Sequence, residues 1–407
     1  MTLLQTITCA KEAADAGDLS SSPTIPITLN ANDILPTLKP DVESLTSLPV
    51  VRLSGWSIST SDSKIIESTT KFSKSLNKKL KKPQSLDRAE FLKLLNGFLQ
   101  AIGENLGLRL NPEVSSLHSF DFARTAIGKV GDFIGREVAG LIVDVCVVLE
   151  LWELVESLIV RGLVGHLYTT NLVEKLVEQN QARLLCLCAK HITDLRPSEL
   201  LLLLRFCLSP SDKAYRSFLE VRKEWERQAL LAIEKATNKS MSKKAVILAR
   251  EASVLLMVAH DGFSAAELCL HYVFGRSDID NLVFSSAISM LGGREILSLI
   301  RYLGKWLKKY ESFPEAVPCP QAKSMLSLSA CEDIPSFDSV LRALGLILDG
   351  NFSYLVLNSE FHDEMSDLQK VVSDLVSEAD ASSPVNVIVK HLKSQYRKNG
   401  NHQAEFV

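Results

Sequence analysis

The chain has 407 residues, of which 46% are hydrophobic and 23% charged, and a formal net charge of −3. That length and composition allow one large core or two ordinary domains and exclude a chain disordered throughout. A charge so near balance gives no global field for nucleic acid or anionic lipid, so any such attraction must come from local patches.

From Met1 to residue 84 the sequence is rich in Ser, Thr, Pro, Asp and Asn, with proline turns such as "SSPTIPITLN" and no sustained helical period. The expectation for 1–84 is a mostly disordered segment. One patch, "SLPVVRLSGWSIS" over 47–59, alternates like a strand but has no sheet to join. The N-terminus has no basic start and too short an apolar stretch for a signal peptide. The segment closes on Lys71, Lys74, Lys78, Lys79, Lys81 and Lys82 ahead of Pro83. Lys78, Lys79, Lys81 and Lys82 are candidates for a nuclear localisation signal, with a solvated linker as the alternative.

After Pro83 the pattern changes to helix after helix, and 85–397 reads as a helical-repeat domain, with 398–407 as a disordered tail. In "SLDRAEFLKLLNGFLQAIGENLG" the residues Phe91, Leu94, Leu95, Phe98, Leu99 and Ile102 share one helical face. The most lipid-like run, "AGLIVDVCVVLELWELVESLIV", carries Asp144, Glu150, Glu153 and Glu156. A charge of this kind costs about 2.5–3.5 kcal/mol at mid-bilayer, so the run is one core helix or two.

Over 171–209 Asn171 is expected to cap a short helix that Asn180 ends. Leu184 to His191 forms the next, and Pro197 opens a third. Further helices are expected at 211–237, 242–259, 263–274, 294–310, 336–349, 360–378 and 385–396. Short helices joined by short loops predict an all-α fold, an irregular α-solenoid of stacked helical pairs in which each pair completes its neighbour's core. No strict period emerges.

No catalytic motif is complete. "GFSAA" at 262–266 lacks the second glycine of a nucleophile elbow, and "GKVGDFIGR", from Gly128 to Arg136, has no strand before it to make a nucleotide loop. The eight cysteines sit mostly in apolar runs and never at Cys-x-x-Cys spacing, which suits buried reduced thiols. Cys188 and His191 share a helical face without further ligands in register, and His260 beside Asp261 reads as a helix end. The expectation is therefore a non-enzyme with no metal, no cofactor and no small-molecule substrate.

"REILSLIRYLGKWLKKY" (294–310) separates Ile296, Leu299, Ile300, Leu303, Trp306, Leu307 and Tyr310 from Arg294, Arg301, Lys305, Lys308 and Lys309. One reading is a repeat helix with its apolar face in the core and its cations in water. A sharper reading gives those five cations a partner, an acidic protein or an RNA backbone touched through phosphates alone. Trp306 falls among the apolar residues, which disfavours base stacking on the basic face. With no lipidation motif, a membrane contact is not expected.

Two segments carry a resemblance: the run over 172–209, and the run from "ISMLGGREILSLIRYLGKWLKKY" through "IPSFDSVLRALGLILDGNFSYLVLNSEFHDEMSDLQKVVSDLV". They resemble the helical C-terminal half of the nucleolar protein 11 family, in which an element like Leu348, Asp349, Phe352 and Leu355 to Leu357 closes the array. The family's N-terminal β-propeller has no counterpart, since the 84 polar residues cannot supply its blades. The resemblance implies a nuclear, nucleolar scaffold of the small-subunit processome. It would support rRNA transcription and pre-18S rRNA processing through contacts with other processome proteins. The competing expectation is a cytoplasmic helical-repeat adaptor in membrane trafficking or another multiprotein complex.

Overall fold

The computed structural model describes residues 59–80, 87–108, 110, 120–238, 241–276, 279–314 and 316–380. The chain divides into Met1–Ser59 and Thr60–Val407, and the second unit holds every described helix. The strand expected at 47–59 (Ser59 apart), Lys81, Lys82, the helix expected at 385–396 and the tail 398–407 lie outside the described residues.

The second unit is all-α, and no strand occurs among the described residues. Its helices are α1 (Thr60–Leu80), α2 (Arg88–Asn105), α3 (Phe120–Val130), α4 (Arg136–Val148), α5 (Trp152–Val160), α6 (His166–Glu178), α7 (Ala182–His191) and α8 (Pro197–Leu208). They continue with α9 (Tyr215–Thr237), α10 (Lys243–His260), α11 (Ala265–Phe274), α12 (Asn281–Ile288), α13 (Gly293–Ser312), α14 (Gln321–Leu326), α15 (Phe337–Leu357) and α16 (362–380).

Helices pack beyond their immediate neighbours in the chain as well as on them. Through one layer α1 packs on α4, α4 on α6, α6 on α8, α8 on α12 and α12 on α15; through the other α3 packs on α5, α5 on α7 and α7 on α11. This interleaving makes the buried apolar side chains one cluster from Phe72 to Val371. No pair holds a complete core of its own.

The hairpin α9–α10 interrupts the row. Its two helices pack chiefly on each other, α9 lies against α7 and α11, and α7 and α8 meet α11 directly across the 56 residues between Leu208 and Ala265. An inserted hairpin of this length explains why no fixed period can be read.

Left-handed residues make several of the corners. Gly107 (φ +70°), Glu150 (φ +53°), Gly162 (φ +67°) and Asn180 (φ +54°) each follow a helix. Past each of them a backbone N–H reaches five residues back: Leu108 to Gly103 (2.8 Å), Leu151 to Cys146 (2.8 Å), Leu163 to Leu158 (3.0 Å) and Gln181 to Leu176 (2.9 Å). This is the bond that satisfies the last carbonyls of a helix ending in the left-handed region. The corner at Glu150 splits the lipid-like run into α4 and α5.

Three boundaries differ from expectation. The helical region begins at Thr60 rather than 85. Phe72 stacks on Phe98 at 4.2 Å with the rings within 1° of parallel, and Leu76 is fully buried, so two apolar anchors one turn apart dock a helix that is polar over most of its length. Each such side chain contributes about 1.5–3 kcal/mol of burial. Helix α6 starts at His166, which places Asn171 inside it, where its side-chain amide donates to Asp144 (3.2 Å) instead of capping. Helix α15 continues to Leu357 through a kink at Asn351 (φ −124°). Pro197 does open α8, with the Glu199 carboxylate accepting from the Arg196 N–H (2.8 Å).

Candidate interaction surface

Helix α13 starts after the Gly292–Gly293 corner, where the Glu295 carboxylate accepts the Gly292 N–H (2.7 Å). Ile296, Leu299, Ile300, Leu303, Trp306 and Leu307 are buried as their spacing requires, and Tyr310 is half-buried. Tyr302, which the stripe read from spacing leaves out, is fully buried as well. It lies at the centre of a polar network: its hydroxyl accepts from Trp306 Nε1–H (3.1 Å) and meets His271 Nδ1 (2.9 Å), while His271 Nε2 meets the Ala259 carbonyl (2.9 Å). Burial holds the His271 imidazole down to about 3, so the ring is neutral and donates from Nε2.

The basic face is not a free cationic surface. Arg301 pairs with Glu364 of α16 (2.9 Å). Lys305 pairs with both oxygens of Glu267 (2.8 and 2.9 Å) and lies 5.8 Å over the Phe263 ring. Glu267 also takes the Ser264 N–H (2.7 Å) as the capping residue of α11, so Lys305 ties α13 to the start of α11. Lys309 faces Asp261 (3.7 Å) in the α10–α11 corner. Arg294 and Lys308 are exposed at opposite ends of the helix, about 21 Å apart at the α-helical rise. Three of the five cations thus hold α13 in its place, and two point to solvent.

These contacts set different costs for charge reversal. Lys305→Glu is expected to lower the unfolding free energy by about 1 kcal/mol, since it sets two carboxylates together at a partly exposed site. Lys308→Glu should leave the melting temperature unchanged. Thermal unfolding of the two variants side by side checks the difference.

In the lysine cluster Lys78 is exposed on α1, while Lys79 pairs with Glu90 of α2. Gly128 lies inside α3, Gly131 in a short 3-10 turn and Gly135 at the N-cap of α4. Asp132 and Arg136 from that segment, with Arg161, His166 and His191, line an open cleft of about 390 Å³ along one loop edge. Cys188 is fully buried, and burial pushes its thiol far up, while His191 is half-buried and held below the usual imidazole range by burial and by Lys190. Among the described residues no three His, Cys, Asp or Glu side chains converge as a ligand set.

Sequence reasoning missed the outer side of the α9–α10 hairpin. Leu230 (66% exposed) and Ile233 on α9, and Ile247, Val254 and Met257 on α10, face solvent. Ile233, Met241 and Ile247 line an open groove of about 820 Å³ with Lys243 and Arg250 at its edge. The sign was present in α9, whose apolar residues occupy two faces: Phe218, Val221 and Trp225 are buried, while Leu230 and Ile233 are not.

No protein-family model, no curated protein and no solved structure matches the chain.

Proposed function

We propose that the chain is a non-catalytic scaffold, nuclear and nucleolar, that supports ribosome biogenesis by holding processome proteins together. What supports the scaffold reading is the placement of its uncovered apolar surface: the groove of the α9–α10 hairpin lies open on the outside of the array, where a partner helix can reach it. The nucleolar assignment rests on the resemblance of 172–209 and of the run over 288–376 to the nucleolar protein 11 family. Lys78, Lys81 and Lys82 are the import residues in this reading, and Lys79 is left out because it is engaged with Glu90.

The test has two arms. A tagged chain should concentrate in nucleoli and lose that localisation with Lys78, Lys81 and Lys82 replaced by alanine. Purification from nuclear extract should recover processome proteins with the U3 RNA, and a Leu230→Asp, Ile247→Asp variant should release them. A cytoplasmic chain indifferent to the lysines overturns the nucleolar reading and favours the trafficking adaptor.

A further inference from the structure

Two of the cysteines stand at either end of the segment around α14, in "VPCPQAKSMLSLSACED" (317–333). Pro318 and Pro320 enclose Cys319, and the Pro320 ring keeps the residue before it in extended backbone. Cys319 is thereby held just ahead of the first turn of α14. At the other end Ser327 (φ +54°) turns the chain back. The Leu328 N–H then reaches the Ala322 carbonyl (3.2 Å), and the Lys323 ammonium reaches the Glu332 carboxylate (2.7 Å). The Cys319 carbonyl accepts the Ala322 N–H (3.0 Å), and the Cys331 N–H donates to the Leu328 carbonyl (3.4 Å). The two cysteines thus flank the closed pair of Ala322 and Leu328, and their thiols meet in a hydrogen bond.

Both thiols are free, and they are unequal: Cys331 is fully enclosed, whereas Cys319 is half-buried and open to small solutes. The hydrogen bond from Cys331 holds the Cys319 thiol below the ordinary cysteine range, against burial and the charge of Glu251. The same bond, with burial, pushes the Cys331 thiol up. An accessible thiol biased towards thiolate, touching a protonated and enclosed one, has the layout of an attacking and a resolving cysteine. No other described thiol shares it. Cys146, Cys186, Cys188, Cys207 and Cys269 are all buried, and although Cys186 and Cys269 also touch, burial raises both.

We propose that Cys319 and Cys331 form an oxidation site for hydroperoxides, at which the two thiols close to a disulfide across the α14 loop. The Cys319 thiolate attacks the peroxide, forming a sulfur–oxygen bond and breaking the oxygen–oxygen bond. With hydrogen peroxide the departing hydroxide takes a proton and leaves as water, and Cys319 is a sulfenic acid. Cys331 sulfur then attacks Cys319 sulfur: the disulfide forms, the sulfur–oxygen bond breaks, and the Cys331 proton leaves with the hydroxide as a second water. Two thiols are oxidised to one disulfide and one peroxide is reduced to two waters. Exchange with a dithiol reductant restores the pair. The bridge ties the start of α14, which packs on α10, to the stretch holding Asp333, the partner of Lys190 in α7.

Mass spectrometry of the full chain tests this. After brief treatment with hydrogen peroxide and alkylation of the remaining thiols, a non-reducing tryptic digest should yield peptides 310–323 and 324–342 joined, and dithiothreitol should part them. Cys319 should be consumed at least about tenfold faster than the buried thiols Cys146, Cys186, Cys188, Cys207 and Cys269. Cys331→Ala should leave a sulfenic acid at Cys319 that dimedone traps, and should slow its formation because the donor is gone. Cys319→Ala should leave Cys331 unoxidised. Melting followed by circular dichroism checks that each variant is folded, and the unaltered chain decides if one is not. No joined peptide, a buried thiol consumed before Cys319, or a bridge from Cys319 to any other cysteine or to a second chain overturns the proposal.

Discussion

Replacing Lys190 with methionine is expected to lower the unfolding free energy at neutral pH by about 3–5 kcal/mol, the cost of leaving a buried charge without its partner. Lys190 stands in the last turn of α7, and its ammonium lies 2.7 Å from Asp333, a residue 143 positions later and only 6% exposed. The pair joins α7 to the segment that leads into α15. Burial raises the Asp333 carboxyl to about 6 even though Lys190 pulls it down. Because its folded pKa lies above its unfolded value, this carboxyl's contribution to stability is fully present below about pH 4. It is lost as pH rises through about 6. Without Lys190 the carboxyl is pushed higher still, so the variant should recover much of its deficit in acid. Urea unfolding of Lys190→Met against the unaltered chain at pH 7.5 and 4.5 measures both effects.

His271 carries the opposite sign. The ring is enclosed by Trp225 (5.2 Å), Phe263 (4.8 Å) and Trp306 (5.0 Å), and both nitrogens are already engaged, with Tyr302 and with the Ala259 carbonyl. A second proton would put a charge where the Tyr302 hydroxyl already donates. The folded pKa of about 3 lies below the ordinary value of 6.5, so the contribution is complete above pH 6.5 and lost as pH falls towards 3. At about 1.4 kcal/mol per unit it reaches about 5 kcal/mol. His271→Gln should be the less stable protein at pH 7, and its deficit should shrink by about 2–3 kcal/mol by pH 4.5. A deficit that stays constant across that range would mean the ring is not held neutral. Between about pH 6 and 4 the Asp333 and His271 contributions oppose each other.

Periodicity made the apolar stripe of α13 legible, because one helix buried against a row leaves a 3.6-residue trace. The same logic failed for α1, where Phe72 and Leu76 are the buried anchors and the surrounding Ser, Thr and Lys mimic a linker. Corners were half legible: Gly107 and Gly162 announce a left-handed residue, but Glu150 does so against its type, and only the backbone bond beyond it reveals the turn. The cations of α13 misled most. A helical wheel separates them from the core, but it cannot show that Glu267, Asp261 and Glu364 arrive from other elements to meet them. The α9–α10 groove was half legible: the second apolar face of α9 is present in its spacing, but the lining also comes from α10, and no local spacing encodes that apposition.

The interleaved helices share one core, so damage in one pair should be felt several helices away. This is tested most directly with Trp306 as sole fluorophore, the other tryptophans replaced by phenylalanine, and Leu158→Ala introduced in α5, where the Leu158 side chain is fully buried. The urea midpoint read at Trp306 should fall together with the midpoint read by circular dichroism. A Trp306 transition that stays where it was while the helical signal of the chain shifts would show independent units and contradict a shared core.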